Sequence, residues 1–207
     1  MIDPMGGPAY LWPFLLGFVL AYLVGSIPFG LLLTRAAGLG DIRQIGSGNI
    51  GATNVLRTGN KKLAAATLAL DLLKGALPVA LAGRFFGPDM AIVGAAGAFL
   101  GHCFPVWLRF KGGKGVATAA GVVLGLTPAL FPLALAIFAG VVYATRYVSL
   151  GSMSAACGAA LLAWLSGSYQ AAEFYVALTL LIIWLHRTNV RRLLNGTEAK
   201  VGDKRDR

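Results

Sequence analysis

Long apolar runs alternate with short polar segments along the whole chain. An α-helix needs about 20 residues to cross the hydrocarbon core of a bilayer, and the runs are close to this length. Pro28 and the glycines beside it predict a kink or close packing in the second half of the first run. Five runs are each interpreted as one membrane-spanning helix: Tyr10–Leu33, Leu63–Ala82, Ala91–Leu108, Val148–Leu165 and Ala171–Leu185.

The run Val116–Ala144 is too long for one comfortable span and short for two, and it has prolines near its middle. If it crosses twice, all Lys and Arg residues except Arg84 and the intramembrane Lys74 fall on one side, which the positive-inside rule makes cytoplasmic. A single crossing would largely remove this bias. The sequence therefore predicts an all-α, polytopic integral membrane protein with seven transmembrane helices, the N-terminus outside and the C-terminus cytoplasmic.

Composition agrees with a location in the bilayer. Of the 207 residues 57% are apolar and 13% charged, whereas a soluble domain carries about 25% charged residues. The formal net charge of +10 lies mostly in short loops, so it indicates orientation and anion binding rather than nucleic acid. Cys103 and Cys157 lie in apolar runs and suggest neither a disulfide nor a metal site. We expect one transmembrane domain at 1–200, beginning with a retained helix rather than a cleaved signal, and a polar charged tail at 201–207.

The first polar segment, Asp41–Arg57, is rich in glycine. Gly46, Gly48 and Gly51 permit backbone conformations in which successive N–H groups converge, and such a nest suits phosphate oxygens. Taken alone, the segment also fits a solvated loop between two membrane helices. Its side chains add neutral donors and two cations, from Ser47, Asn49, Thr53, Asn54, Arg43 and Arg57.

A second basic, glycine-rich segment is Arg109–Gly115. It lacks the Gly-Lys-Ser/Thr ending of a nucleotide P-loop and has no accompanying metal-binding acid, so it does not indicate ATP binding. Lys114, on a flexible glycine hinge, either faces a phosphate or anchors a lipid headgroup. In the seven-span topology, Arg146–Ser149 and His186–Asn189 lie on the same membrane face as both segments. Cations, small donors and almost no acid then converge there, which favours the binding of phosphate groups.

Ionisable residues inside the spans need a separate explanation. A charge at the centre of a membrane helix costs about 2.5–3.5 kcal/mol on insertion scales, so Asp71 and Lys74, one turn apart, are expected to pair and support the site from beneath. Alternatively, Asp71 and Lys74 take part directly in the chemistry of the site. His102 has no acid four or five residues later and is expected to be a hydrogen-bonded packing residue. His186, with Asn189 one turn away, is the better candidate base, or else positions substrate.

No Ser-His-Asp or Cys-His set, carboxylate pair or metal cluster can be assembled from these segments. An enzyme built from them would act mainly by electrostatics and positioning, which favours a substrate that is already activated. A transporter of phosphate esters is the main alternative, but it should show polar groups continuing through the membrane, and Asp71 and Lys74 are nearly alone at depth.

Five polar blocks, in the same order and spread over nearly the whole chain, resemble the bacterial acyl-phosphate:glycerol-3-phosphate acyltransferases. Met1–Pro8 and the tail after Lys200 lie outside the resemblance. The long Gly-Ser-Gly-Asn block is the most specific of the five. The blocks are Gly25–Gly30, Gly46–Asn54, Gly101–Thr118, Arg146–Ser149 and His186–Asn189.

The resemblance implies a multi-pass enzyme of the bacterial inner (plasma) membrane with its active site on the cytoplasmic face. It would move a fatty acyl group from acyl phosphate to the 1-hydroxyl of glycerol 3-phosphate, giving lysophosphatidic acid and inorganic phosphate, without a cofactor or metal. Catalysis would rest on Ser47, Arg57, Lys114 and His186. Substrate would also be bound by Gly46, Gly48, Asn49, Thr53, Asn54, Ser149 and Asn189.

Overall fold

The computed structural model describes residues 7–202, and every regular element in that range is helical. Of the predicted polar tail, residues 203–207 lie outside the described range, as do residues 1–6 at the other end. The α-helices are α1 (Gly7–Gly25), α2 (Phe29–Ala36), α3 (Ala52–Leu56), α4 (Lys61–Phe86), α5 (Pro88–Cys103), α6 (Val116–Leu126), α7 (Phe131–Thr145), α8 (Val148–Leu165), α9 (Tyr169–Leu185) and α10 (Arg187–Leu194).

Five helical segments within residues 7–202 are long and apolar enough to cross a membrane, and a sixth arises if α9 and α10, bent by 63°, count as one. The predicted double element at Val116–Ala144 is present as two helices, α6 and α7, separated by a 3-10 turn at Pro128–Leu130. α6 has 11 residues, which is about 16 Å of helix and roughly half of a bilayer core. The number seven and the orientation of the termini therefore stay predictions.

The helices form two compact units, Met1–Leu126 and Thr127–Arg207. The single domain predicted at 1–200 stays a prediction.

In the first unit the predicted kink is a complete break. α1 ends at Gly25 and α2 begins at Phe29, because Pro28 has no N–H with which to continue the helical hydrogen bonds. Thr34 lies buried in α2, and its hydroxyl donates a hydrogen bond to the carbonyl oxygen of Gly30 at 2.9 Å.

Small residues let α1 and α5 pack side by side in the same direction. A Cβ added to Gly97 would lie 2.5 Å from the carbonyl oxygen of Phe18, and one added to Gly101 would lie 2.2 Å from that of Tyr22. Such contacts allow backbones to approach closely where side chains cannot. Because the two helices run in parallel, the polar segments that follow them lie at the same end of this unit.

α4 and α6 pack against each other in the same way. A Cβ on Gly75 would lie 2.3 Å from the carbonyl oxygen of Thr118, and one on Gly121 would lie 2.0 Å from that of Leu72. α4 starts at the end of the unit that carries the polar segments and runs away from it for 26 residues. Its far end, near Phe86, is therefore remote from those segments.

The second unit is built from α7, α8 and α9. Gly151 of α8 packs on α7, where an added Cβ would lie 2.5 Å from Val142. Tyr175 of α9 is 1% exposed, and its hydroxyl lies 2.8 Å from that of Thr127. Because α8 and α9 are antiparallel neighbours, the start of α8 and the end of α9 lie together.

Candidate functional site

The first polar segment is a folded element and not a solvated loop. It contains a 3-10 turn at Ile42–Gln44 and the short helix α3. Ile42 and Val55 are fully buried in a small apolar cluster with Leu31 and Ala64, which ties the segment to α2 and α4. Its polar residues are therefore held on a fixed backbone.

Asn54 is the residue that closes this segment. Its side chain is buried, its Nδ2 donates to the carbonyls of Ile42, Ile45 and Asn49 at 2.8–3.0 Å, and its Oδ1 accepts from the N–H of Ser47 at 3.1 Å. Its amide hydrogens are thus used within the segment. The predicted contact between Asn54 and a phosphate stays a prediction, and in this structure Asn54 holds the backbone that carries Ser47.

The expected nest of free backbone N–H groups needs correction. Gly46 and Gly48 do have positive φ, 55° and 68°, which glycine adopts without strain. However, the N–H of Ser47 bonds to Asn54, that of Gly48 to the carbonyl of Ile45, and that of Gly51 to Asn49 Oδ1. These three donors are already satisfied, so binding capacity rests mainly on side chains.

Arg57 is the cation that this segment positions most closely. A Cβ added to Gly46 would lie 2.6 Å from Arg57 Cδ and 2.8 Å from its Nη1, so the guanidinium side chain lies directly over the glycine. Ser47 and Thr53 are exposed nearby, and Asn49 is half-buried. Gly46, Ser47 and Arg57 therefore form one surface, as the sequence predicted.

Asp41 neutralises part of the charge at the edge of the segment. Its carboxylate accepts from Arg43 Nε at 2.9 Å and from Arg35 Nη2 at 2.8 Å. Hydrogen bonds from Arg43 outweigh the opposing effect of burial and hold the pKa of Asp41 far below its usual range, and the same pair raises the pKa of Arg43. Arg43 therefore lies in a fixed position, and Asp41 stays ionised.

The second polar segment folds back onto the end of α5. The N–H of Gly112 donates to the carbonyl of Cys103, and that of Gly113 donates to the carbonyl of His102, both at 3.1 Å. Arg109 and Phe110 are in the left-handed region, with φ of 53° and 60°, which is strained for residues with side chains. The glycines before Lys114 are thus needed for close packing, and the expected flexible hinge is not observed.

The two segments of the first unit enclose one cavity. It has a volume of about 550 Å³, within the usual range for ligand sites. Its three lining cations belong to segments that the sequence analysis placed at the site, although Arg109 and Lys111 were given no individual role. Ser47, Arg57 and Lys114 are not among the lining residues. The lining consists of Arg43, Gly48, Trp107, Leu108, Arg109, Lys111 and Gly112. The expectation that these two segments come together is confirmed.

In the second unit, two of the predicted site residues, Ser149 and Asn189, donate hydrogen bonds to the carboxylate of Glu198. Its Oε1 accepts from Ser149 Oγ and from Asn189 Nδ2, both at 2.6 Å, and its Oε2 lies 2.7 Å from Arg192 Nε. Ser149 and Asn189 are both buried. Sequence reasoning assigned no role to Glu198, although an isolated acid in a basic tail was a signal that could have been followed.

His186 lies at the junction of α9 and α10 and is 3% exposed. Its Nδ1 is 2.8 Å from the carbonyl oxygen of Ile182, which favours the tautomer with the proton on Nδ1. In the neutral ring Nε2 is then an acceptor. That state suits either a base or a group that orients a hydroxyl.

Asp71, Lys74 and His102, which lie in the predicted spans, are in the first unit. Lys74 Nζ lies 2.8 Å from Asp71 Oδ1, so the predicted pairing is confirmed. No acid follows His102 four or five residues later in the sequence, but its Nδ1 is 3.7 Å from Asp71 Oδ1. The sequence spacing hid this neighbour because the two residues lie on different helices.

Replacing Glu198 with glutamine should make the second unit less stable and less sensitive to acid. Partial burial raises the pKa of Glu198, but hydrogen bonds from Ser149, Asn189 and Arg192 outweigh it, so the pKa lies below its usual value. The ionised form therefore stabilises the fold above the unfolded-state pKa of about 4.3, and this contribution is lost as the pH falls through the folded-state pKa.

We expect Glu198→Gln to lose about 1.5–3 kcal/mol at pH 7, the usual worth of a hydrogen bond to a charged group, and less at pH 3. Thermal unfolding in detergent between pH 3 and pH 7 measures it. Glu173→Gln, on an exposed position of α9, is the matched control. Parallel acid profiles for wild type and Glu198→Gln would show that the carboxylate does not hold this unit.

The helices and the two polar segments define a multi-pass, all-α integral membrane protein. A family model described as "Glycerol-3-phosphate acyltransferase" matches residues 15–196. The chain therefore belongs to the glycerol-3-phosphate acyltransferase family.

Individual relatives agree with this membership. A glycerol-3-phosphate acyltransferase of Rhodopseudomonas palustris (strain BisB5) is 53% identical over 195 residues, which cover 93% of this chain and 98% of that protein. One of Mesorhizobium japonicum is 54% identical over 190 residues, covering 92% and 97%. The crystal structure of PlsY (YgiH) in its glycerol 3-phosphate form superposes with a TM-score of 0.88 at 39% identity, over 92% of this chain and 96% of that one.

Proposed function

We propose that this protein transfers a fatty acyl group from acyl phosphate to the 1-hydroxyl of glycerol 3-phosphate, releasing lysophosphatidic acid and inorganic phosphate. The observation that carries the proposal is the cavity between two cationic segments in a chain of this family. The solved relative PlsY is described as an integral membrane glycerol 3-phosphate acyltransferase, with a glycerol 3-phosphate form and a lysophosphatidic acid form. The acyl-phosphate donor is implied by the resemblance to the acyl-phosphate:glycerol-3-phosphate acyltransferases, and the site residues favour a donor that is already activated.

An activated donor suits the residues available. Acyl phosphate is a mixed anhydride with a good leaving group, so transfer needs no covalent enzyme intermediate. Arg57 and Lys114 would neutralise the charge that develops on the departing phosphate, and Ser47 would orient it. In the transfer step the glycerol oxygen bonds to the acyl carbon, the bond from that carbon to the phosphate oxygen breaks, and the hydroxyl proton leaves to a base.

Ser149, His186 and Asn189 would complete the glycerol 3-phosphate site, and the cationic segments of the first unit would bind its phosphate. Because the hydroxyl hydrogen of Ser149 is donated to Glu198, its oxygen can only accept from a substrate, which suits a glycerol hydroxyl rather than a phosphate. The predicted seven-span topology, with the N-terminus outside, would put these residues and the two segments of the first unit at the cytoplasmic face of the inner membrane. Thr53 and Asn49 remain proposed phosphate contacts.

Two groups could take the proton, an oxygen of a substrate phosphate or His186. We expect His186→Ala to raise the KM for glycerol 3-phosphate and to lower kcat by about tenfold, as for a residue that orients the acceptor. This loss is smaller than the contribution of about 10²–10⁴-fold that a general base usually makes. Steady-state kinetics with varied glycerol 3-phosphate measures this. A loss of several powers of ten in kcat at unchanged KM would instead make His186 the base.

The donor assignment is tested with purified protein in detergent. Palmitoyl phosphate and glycerol 3-phosphate together should give lysophosphatidic acid and inorganic phosphate in equal amounts, and palmitoyl-CoA in place of palmitoyl phosphate should give neither. Omitting glycerol 3-phosphate is the control for simple hydrolysis. Product from palmitoyl-CoA, or glycerol 3-phosphate flux in proteoliposomes without any product, would contradict the proposal.

A further inference from the structure

The first unit contains an ionic cluster that the proposed reaction does not use. It consists of Asp71, Lys74 and His102, whose side chains are only 2–3% exposed. Lys74 Nζ lies 2.8 Å from Asp71 Oδ1 and donates to the carbonyl of Ile27 at 2.7 Å. His102 Nδ1 lies 3.7 Å from the same carboxylate oxygen.

Stability alone does not explain such a cluster. Taking charges out of water costs several kcal/mol per ion, and well-packed apolar residues in place of a buried ion pair are often neutral or stabilising. Ionisable groups in membrane-spanning helices are rare for the same reason, and they commonly mark functional sites. The contacts that the cluster makes with neighbouring segments indicate its role.

His102 connects the cluster to the second polar segment. The carbonyls of His102 and Cys103 accept from Gly113 and Gly112. A Cβ on Gly113 would lie 2.0 Å from His102 Nε2, so the imidazole ring is in contact with the backbone just before Lys114. One side of the ring thus faces Asp71, and the other side fixes the chain that carries Lys114.

Lys74 connects the same cluster to the first polar segment. The carbonyl it binds belongs to Ile27, in the break between α1 and α2. Three residues later, Gly30 lies against the first segment, where an added Cβ would be 2.0 Å from the carbonyl oxygen of Ile50. The cluster therefore reaches both segments that line the cavity.

We propose that Asp71, Lys74 and His102 are positioning residues, which set Lys114 at the correct distance from the first segment without touching substrate. The inference rests on the proposed function, because it takes those two segments to bind the substrate phosphates. This role would explain why charged residues, which are costly in a membrane-spanning helix, are present at these positions.

The main test removes both charges together. Asp71→Leu with Lys74→Met replaces the ion pair by apolar side chains of similar size, and a folded protein is expected. We expect the dissociation constant for glycerol 3-phosphate, measured by titration calorimetry on folded protein in detergent, to rise at least tenfold while the melting temperature changes little. Binding within twofold of wild type in the folded double variant would overturn the inference.

A second pair of variants tests the ring contact directly. Gly113→Ala should weaken glycerol 3-phosphate binding because its methyl group would meet the His102 ring and displace the chain that carries Lys114. Gly94→Ala, on α5 where an added Cβ meets only ordinary contacts, is the matched control. Glycerol 3-phosphate binding by Gly113→Ala within twofold of wild type would show that the contact with the ring does not position this segment.

The wild-type titration separates this inference from the proposed function. Wild-type protein that does not bind glycerol 3-phosphate would contradict the proposed function. Wild-type protein that binds, together with cluster variants that bind equally well, would contradict only the positioning role.

Discussion

Replacing Lys114 with alanine should lower kcat/KM for palmitoyl phosphate by about 10²–10³-fold, the usual cost of losing one group that stabilises charge developing in a transition state. Lys114 directly follows Gly112 and Gly113, whose N–H groups are bonded to the end of α5, so its backbone position is fixed. We propose that its ammonium meets the departing phosphate. Inorganic phosphate release under initial-rate conditions measures the loss.

Two comparison variants give this result its meaning. Lys114→Arg should recover only part of the activity, because the larger planar guanidinium keeps the charge but changes its position. Lys62→Ala removes an exposed cation from the start of α4, at the same end of the unit, and should change kcat/KM less than twofold. Equal losses in Lys62→Ala and Lys114→Ala would mean that the general positive potential, rather than a specific contact, drives the reaction.

Replacing Arg57 with alanine should have an effect of similar size, about 10²-fold on kcat/KM. Its side chain lies over Gly46, next to Ser47, so it can present two N–H groups to one phosphate. Arg57→Lys should fail to restore the activity because an ammonium cannot make that bidentate contact. The same initial-rate assay, with palmitoyl phosphate varied, measures both variants.

Arg84→Ala is the control for Arg57, since Arg84 lies near the far end of α4. It should leave the kinetics unchanged. Full activity in Arg57→Lys would show that charge alone suffices and would remove the geometric argument for Arg57.

Hydropathy predicted most of the helices because a membrane span is encoded in a local run of residues. The run Val148–Leu165 is the helix α8 with the same ends, and Pro28 marks a true break. The short helix α6 was not predictable in detail, since apolarity does not show where a helix stops within a long run. Thr127 and Pro128 only located the interruption.

The candidate site was predicted less completely, because hydrogen-bond partners are not visible in local sequence. Asn54 looked like a donor for phosphate, yet its amide binds three carbonyls of its own segment. Glu198 was missed because it contacts Ser149, 49 residues away. His102 and Asp71 were placed on separate predicted spans, and only their packing shows that they are neighbours.

The proposed function requires positions 44 and 188 to lie on the cytoplasmic face of the membrane, and site-directed labelling tests this most directly. In a background with Cys103→Ala and Cys157→Ser, single cysteines would be introduced at two exposed positions, Gln44 and Thr188, and at Phe86 near the far end of α4 as the control. In inside-out vesicles a membrane-impermeant maleimide should label positions 44 and 188 but not 86, and in intact spheroplasts it should label only 86. Labelling of positions 44 and 188 from opposite sides of the membrane would contradict the account.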